Sequence, residues 1–230
     1  MSDNEPLFIS IELSQRNGTV AARIGSGDII EIPAIQGDRD KDSVMPALEQ
    51  AVLMVGGTPN QINTVFVSIG PGSFTGLRIA TATAKMISCT TGAVVVPVET
   101  ALGVVSADTH HLSRSIVVSA IKKENCWLSV VTKNPTWCCD GRLSNIYELP
   151  TYMEHGSILY GDSFLPDEIL KQCEEAGVPI RAMQSTATSI MEVGQTFGSE
   201  NHIDPIALLP LYPREPEAVR RWKETRPRSN

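Results

Sequence analysis

With 230 residues, 24.9 kDa, 42% hydrophobic and 20% charged residues, the chain has an ordinary folded composition and enough length for one large domain or two lobes around a sizeable core. A net charge of −7 argues against a general nucleic-acid binder, and no apolar run approaches the roughly 20 residues of a membrane-spanning helix. The acidic start MSDNEPLFIS lacks a secretory basic segment, and five cysteines without regular spacing read as reduced thiols, so a cytoplasmic protein with no membrane contact is expected.

Residues 7–13 (LFISIEL) read as a strand. A hairpin partner follows at 19–24 (TVAARI), and GSGD turns into a third short strand at 29–32. Asp42 or Ser43 stands where a helix N-cap belongs, with Pro46 in the first turn, and GGTP stops that helix after Val55. Residues 64–69 (TVFVSI) are nearly all apolar, as in a strand covered on both faces. A second helix is expected from Ser73 to about Gly92, a strand at 93–96 and a helix at 99–108. Near Ser113 the pattern restarts: strands at 115–121 and 126–131, a third around 137–141, another at 157–161, a helix at 166–176, a strand at 178–183 and a helix at 186–197. Cys138 and Cys139 are adjacent, so in a strand they point to opposite faces and read as packing residues. Two successive units of this kind predict a duplicated α/β architecture, divided at 1–109 and 110–230.

The stretch 70–88, GPGSFTGLRIATATAKMIS, opens like a phosphate-cradling loop. Gly70 and Gly72 flank Pro71 in a sharp strand-to-helix turn, and Ser73 and Thr75 are both placed to cap the helix. A helix start of this kind offers amides to an anion, but the Gly-Lys-Ser/Thr ending of a Walker loop is absent. The helix itself carries Gly76, Ala80, Thr83, Ala84 and Ile87 on one face and Ile79, Ala82, Met86 and Cys89 on another. Arg78 and Lys85 are its only charges. Its predecessor has Val44, Leu48, Ala51, Val52 and Val55 in one stripe, with Met45, Leu53 and Met54 outside it. One sheet covers one face of a helix, so the surplus predicts a surface completed by another chain. The expected interface residues are Val44, Leu48, Ala51, Val52, Val55, Gly76, Ile79, Ala80, Thr83, Ala84 and Ile87.

These residues resemble the signature of the bacterial TsaB family, formerly YeaZ: Gly-Pro-Gly-Ser-Phe-Thr-Gly-Leu/Val-Arg-Ile-Gly followed by a small-residue helix. PLYPREPEA (210–218) is similar to the family's Pro-x-Tyr-Leu-Arg ending, with Pro213 in place of the Leu. The resemblance implies a two-lobed actin/Hsp70/sugar-kinase (ribonuclease H-like) fold with mixed five-stranded sheets. It further implies a catalytically silent subunit that pairs through N-lobe helices with TsaD, the transferase that makes threonylcarbamoyladenosine in tRNA. A TsaE-like ATPase subunit joins the pair, and alone such a subunit pairs with itself. No cofactor is expected. Two stretches depart from the family. Glu12-Leu13 replaces Asp-Thr, where ATP-using members of the superfamily hold a metal, and Lys122–Cys126 replaces Asp-x-Arg and Glu-Val-Tyr.

The alternative is a nucleotide-dependent ATPase or kinase built on the glycine loop and Glu12. It lacks the lysine and has only Asp162, Asp108 and Asp204 as scattered further carboxylates. A zinc peptidase needs His-x-x-x-His, and His110, His111, His155 and His202 do not have that spacing. From Arg214 to Arg228 six basic and three acidic residues give +3, leaving −10 for the rest. That tail is a solvated end or an arm for a polyanion such as tRNA, which the chain otherwise meets only through its partners.

Overall fold

A computed structural model of the chain describes residues 5–34, 43–110, 113–154, 156–197, 201–214 and 222. Asp42, His111, His155 and all of the basic tail beyond Arg214 except Trp222 lie outside the described residues.

In β1 (Leu7–Glu12) the side chains alternate between two faces. Leu7, Ile9 and Ile11 enter one core and Phe8 borders another. β1 pairs antiparallel with β2 (Thr19–Ile24), which pairs antiparallel with β3 (Ile30–Pro33). On its other edge β1 runs parallel to β4 (Ile62–Gly70), and β4 parallel to β5 (Val94–Glu99). The first sheet therefore has the order β3-β2-β1-β4-β5. β6 (Arg114–Lys122), β7 (Asn125–Lys133), β8 (Trp137–Asn145), β9 (Ile158–Gly161) and β10 (Ile180–Ala182) form a second five-stranded sheet of order β10-β9-β6-β7-β8. Read from β8, its order and strand directions repeat those of the first sheet. The predicted duplication is thus present in the backbone.

Among the described residues five α-helices lie between or after these strands: α1 (Val44–Met54), α2 (Phe74–Thr91), α3 (Thr100–Ala107), α4 (Asp167–Glu175) and α5 (Ala187–Thr196). In the second unit a 3-10 turn, Ile146–Tyr152, stands where α1 stands in the first. Pro150 lies inside it, and a proline there opposes a longer helix. The packing is layered. One core lies between α1, α2 and the first sheet, a second holds α3 and α5 between the two sheets, and a third lies between the second sheet, α4 and the Ile146–Tyr152 turn.

The second half of the chain is not confined to the second lobe. α5 packs on the first sheet, and Ile203 bridges to Val95 of β5. The Leu211 N–H then donates to the Ile69 carbonyl at 2.7 Å. Among the described residues no helix is long and apolar enough to cross a membrane.

Candidate protein-interaction site

α1 and α2 lie side by side on the outer face of the first sheet. The buried residues of α1 are Val44, Ala47, Leu48, Ala51 and Val52; those of α2 are Gly76, Leu77, Ala80, Thr81, Ala84, Ile87 and Ser88. The small residues thus face inward, where they let the helix approach β4 closely. This corrects the expected interface. Val44, Ala51, Gly76, Ala80 and Ala84 are filled in by the chain's own core and offer nothing to a partner in this fold, and Leu48, Val52 and Ile87 are buried as well, reaching only the groove between the helices. Val55, the C-cap of α1, and Thr83 are half-buried, and of the expected set only Ile79 is exposed.

The outer surface belongs to the residues outside the first stripe. Met45 is 47% exposed, Leu53 64%, Met54 58% and Met86 67%, joined by Ile79 at 39%. The sequence did signal them, as apolar residues left over from a stripe already complete. Between the helices runs a groove of about 560 Å³, floored by Ile9 and Ile62 and walled by Met45, Leu53, Ile87 and Thr91 among others. On the far side of α2, the 3-10 turn Pro205–Ala207 is tied to the helix by Lys85 Nζ, which donates to the Ile206 carbonyl at 3.2 Å. There Ile206 and Leu209 are 81% and 70% exposed. Sequence reasoning missed both, because a segment without periodicity gives no sign of the helix it lies against.

The loop before α2 is pinned to the chain's own backbone at Ser14. Gly70 has φ +105°, the left-handed region, and an added Cβ at Gly72 would lie 2.4 Å from the Ser14 carbonyl oxygen. The Ser73 N–H donates to that carbonyl at 2.7 Å. Ser73 is the N-cap, its Oγ accepting from the Gly76 N–H at 3.2 Å; Thr75 is exposed inside the first turn and is not the cap residue.

The scattered carboxylates have structural partners too. Glu12 is fully buried on the face of β1 that looks toward the second lobe. Its Oε1 accepts from the Ser14 N–H at 2.6 Å and its Oε2 from the Ser185 hydroxyl at 3.1 Å. Burial pushes its pKa up, and the hydrogen bonds from Ser14, Ser68 and Ser185 offset part of that push. Leu13, beside it, enters the core under α1 and α2. Asp162 accepts from the Phe164 N–H and Asp204 from the Ile206 N–H, each at 2.9 Å, closing local turns. Asp108 pairs with Arg181 and accepts from the Tyr160 hydroxyl and the His110 N–H. Burial opposes its charge, but these bonds together hold its carboxyl below the ordinary range. Cys139 donates to Glu99 at 3.2 Å while Cys138 is exposed, so the pair does point to opposite faces.

A family model described as TsaD, tRNA N6-adenosine threonylcarbamoyltransferase, matches residues 31–134. A comparison with curated proteins finds no match. Among solved structures, YeaZ from Pseudomonas aeruginosa superposes with a TM-score of 0.75 at 11% identity, over 89% of this chain and 100% of that one. A second structure, an uncharacterized protein with similarity to peptidase YEAZ from Pseudomonas aeruginosa, gives 0.71 at 13% identity, over 91% and 100%. The fold is an α/β fold with two mixed five-stranded sheets, shared with the YeaZ structure. Residues 31–134 are thus similar to the TsaD family model, and nearly the whole chain shares the fold of the YeaZ structure.

Proposed function

We propose that the chain is a non-catalytic subunit of the cytoplasmic machinery that forms threonylcarbamoyladenosine in tRNA, pairing with a TsaD-like transferase subunit through its N-terminal lobe, residues 1–109. One observation carries this reading: the outer faces of α1 and α2 expose Met45, Leu53, Met54, Ile79 and Met86, and Met45 and Leu53 border an open apolar groove between the helices. Helices this apolar on the outside gain by completing a bundle with helices of another chain. At ~25 cal/mol per Å², covering several hundred Å² contributes on the order of 10 kcal/mol before the costs of association. The same patches are self-complementary across a two-fold axis, so a homodimer forms when the partner is absent. A TsaE-like ATPase joins the pair, and tRNA is reached through the assembly.

The silent role is supported by the state of the parts an ATPase would use. Glu12 is buried on internal donors, and the Ser73 amide is taken by Ser14. Co-expression with a TsaD-like subunit tests the pairing. The intact chain co-purifies with it in a stoichiometric complex, and the double variant Leu53→Glu, Met86→Glu does not. Cells depleted of the chain lose threonylcarbamoyladenosine from their tRNA, and the pure chain hydrolyses ATP only at background. Unchanged co-purification of the double variant would remove the basis of the assignment.

A further inference from the structure

We propose that the surface where the β6–β7 hairpin meets residues 211–214 and the first turn of α2 binds a single-stranded RNA segment; this rests on the reading of the chain as part of a tRNA-modifying assembly and gives it a direct RNA contact.

The surface is built from three separate parts of the chain. Lys122 and Lys123 sit exposed at the hairpin tip, Lys123 with φ +55° in the tight turn. Arg214 reaches that tip, its Nη2 donating to the Asn125 carbonyl at 2.7 Å. Two residues earlier the Tyr212 ring lies 5.0 Å from the Phe74 ring, tilted by 32°, and the Arg78 guanidinium lies 5.4 Å from the Phe74 centroid on from there. The result is a run of cations interleaved with stacked rings, and Phe74 is still 47% exposed.

Four cations, Arg78, Lys122, Lys123 and Arg214, lie along this line of contacts in a chain whose net charge is −7. Among the described residues the nearby carboxylates are Glu124 at the same tip and Glu148 near Cys126, and Glu215 follows Arg214 in the sequence. Acidic groups farther away than about 8 Å are largely screened at physiological salt, so the local excess decides what the patch attracts. Spaced phosphates match the cations, and a flat guanidinium–ring stack gives an unpaired base a surface to lie on. A duplex keeps its bases stacked inside and offers only its backbone, so the aromatic part selects for single-stranded or looped RNA. An acidic protein would use the charges but not the rings.

Fluorescence anisotropy of a short single-stranded RNA with the full-length chain, at several salt concentrations, tests this. The variant Arg78→Ala, Lys122→Ala, Lys123→Ala weakens binding at least about tenfold and lowers the salt slope by roughly 2, at about 0.7 per lost phosphate contact. Phe74→Ala weakens it about tenfold and leaves the slope unchanged, the mark of lost stacking. A control pair elsewhere on the surface, Arg142→Ala with Lys171→Ala, changes neither. The inference fails if the intact chain does not bind the RNA, if the control pair weakens binding as much as the triple variant, or if a duplex of equal length binds as tightly. It also fails if the triple variant keeps RNA and loses the TsaD-like subunit, because the patch is then a protein interface. Pairing through α1 and α2 is read separately, by co-purification of the Leu53→Glu, Met86→Glu variant.

Discussion

At the scale of single residues, Glu12 shows how strand alternation fixes the surroundings of a charged side chain. Strand alternation puts Leu7, Ile9 and Ile11 under the outer helices and sends position 12 toward the second lobe. A carboxylate is thereby enclosed, with the Ser14 amide and the Ser185 hydroxyl as donors. Burial raises its pKa above the ordinary 4.5. Below that ordinary value both the folded and the unfolded chain hold the proton, and Glu12 contributes its full stability. As pH rises, the unfolded chain releases its proton first, and the contribution drains away through the folded-state pKa. Glu12→Gln is therefore expected to be more stable than the native chain at neutral pH, with a flatter pH dependence above pH 4.5. Glu12→Ala is expected to cost about 1–3 kcal/mol by leaving the Ser14 N–H without an acceptor. Urea unfolding of the three proteins across a pH series checks both; a Gln variant less stable at neutral pH would mean that the carboxylate is ionised and favourable where it stands.

At the scale of elements, α1 and α2 show what periodicity reveals and what it hides. The helical spacing sorted their apolar residues into faces correctly, because side chains three and four apart share a side of the helix. It did not say which face meets the sheet, since both faces of α2 are apolar and the sequence contains no charged stripe to mark the outside. Side-chain size decides that: the narrow face of Gly76, Ala80 and Ala84 fits against β4, and the bulky Ile79 and Met86 are left outside. The extent of β8 and the Ile146–Tyr152 turn were illegible for another reason, since an exposed edge strand running into a proline-bearing turn has little periodicity of either kind. The two faces of α2 give a paired prediction. Ala84→Glu places a carboxylate in a fully buried site and is expected to cost 3 kcal/mol or more, roughly the penalty of an unpaired buried charge. Met86→Glu, on the open face, is expected to shift stability by less than about 1 kcal/mol while abolishing association. Thermal unfolding and sedimentation of both variants separate these outcomes, and an associating Met86→Glu protein would count against the outer face as the interface.

At the scale of the whole molecule, the duplication was legible because each half spells strand, strand, strand, then alternating helix and strand, and the two sheets do share one strand order. The C-terminal return was not, because residues 201–214 are held by scattered anchors (the buried Leu208, the Ile203 bridge, single hydrogen bonds and a ring contact) that leave no pattern in a sequence. Those contacts tie the lobes together. Leu211 donates to Ile69 of the first sheet, Tyr212 lies on Phe74 at the start of α2, and Arg214 holds the β6–β7 hairpin of the second sheet. Removing residues 210–230 is expected to lower stability by about 2–3 kcal/mol, the sum of one backbone hydrogen bond, one ring pair and one charged hydrogen bond. Arg214→Ala alone should reproduce only a minor part of that loss, because its bond lies in solvent. Hydrogen exchange gives the spatial test. In the truncated protein, protection should fall around Gly70–Thr75 and at the hairpin tip near Asn125, and persist in the strand centres at Val65 and Val117, which the strap does not touch. Equal protection in the two proteins would mean that the lobes are held by the α3–α5 layer without help from the C-terminal segment.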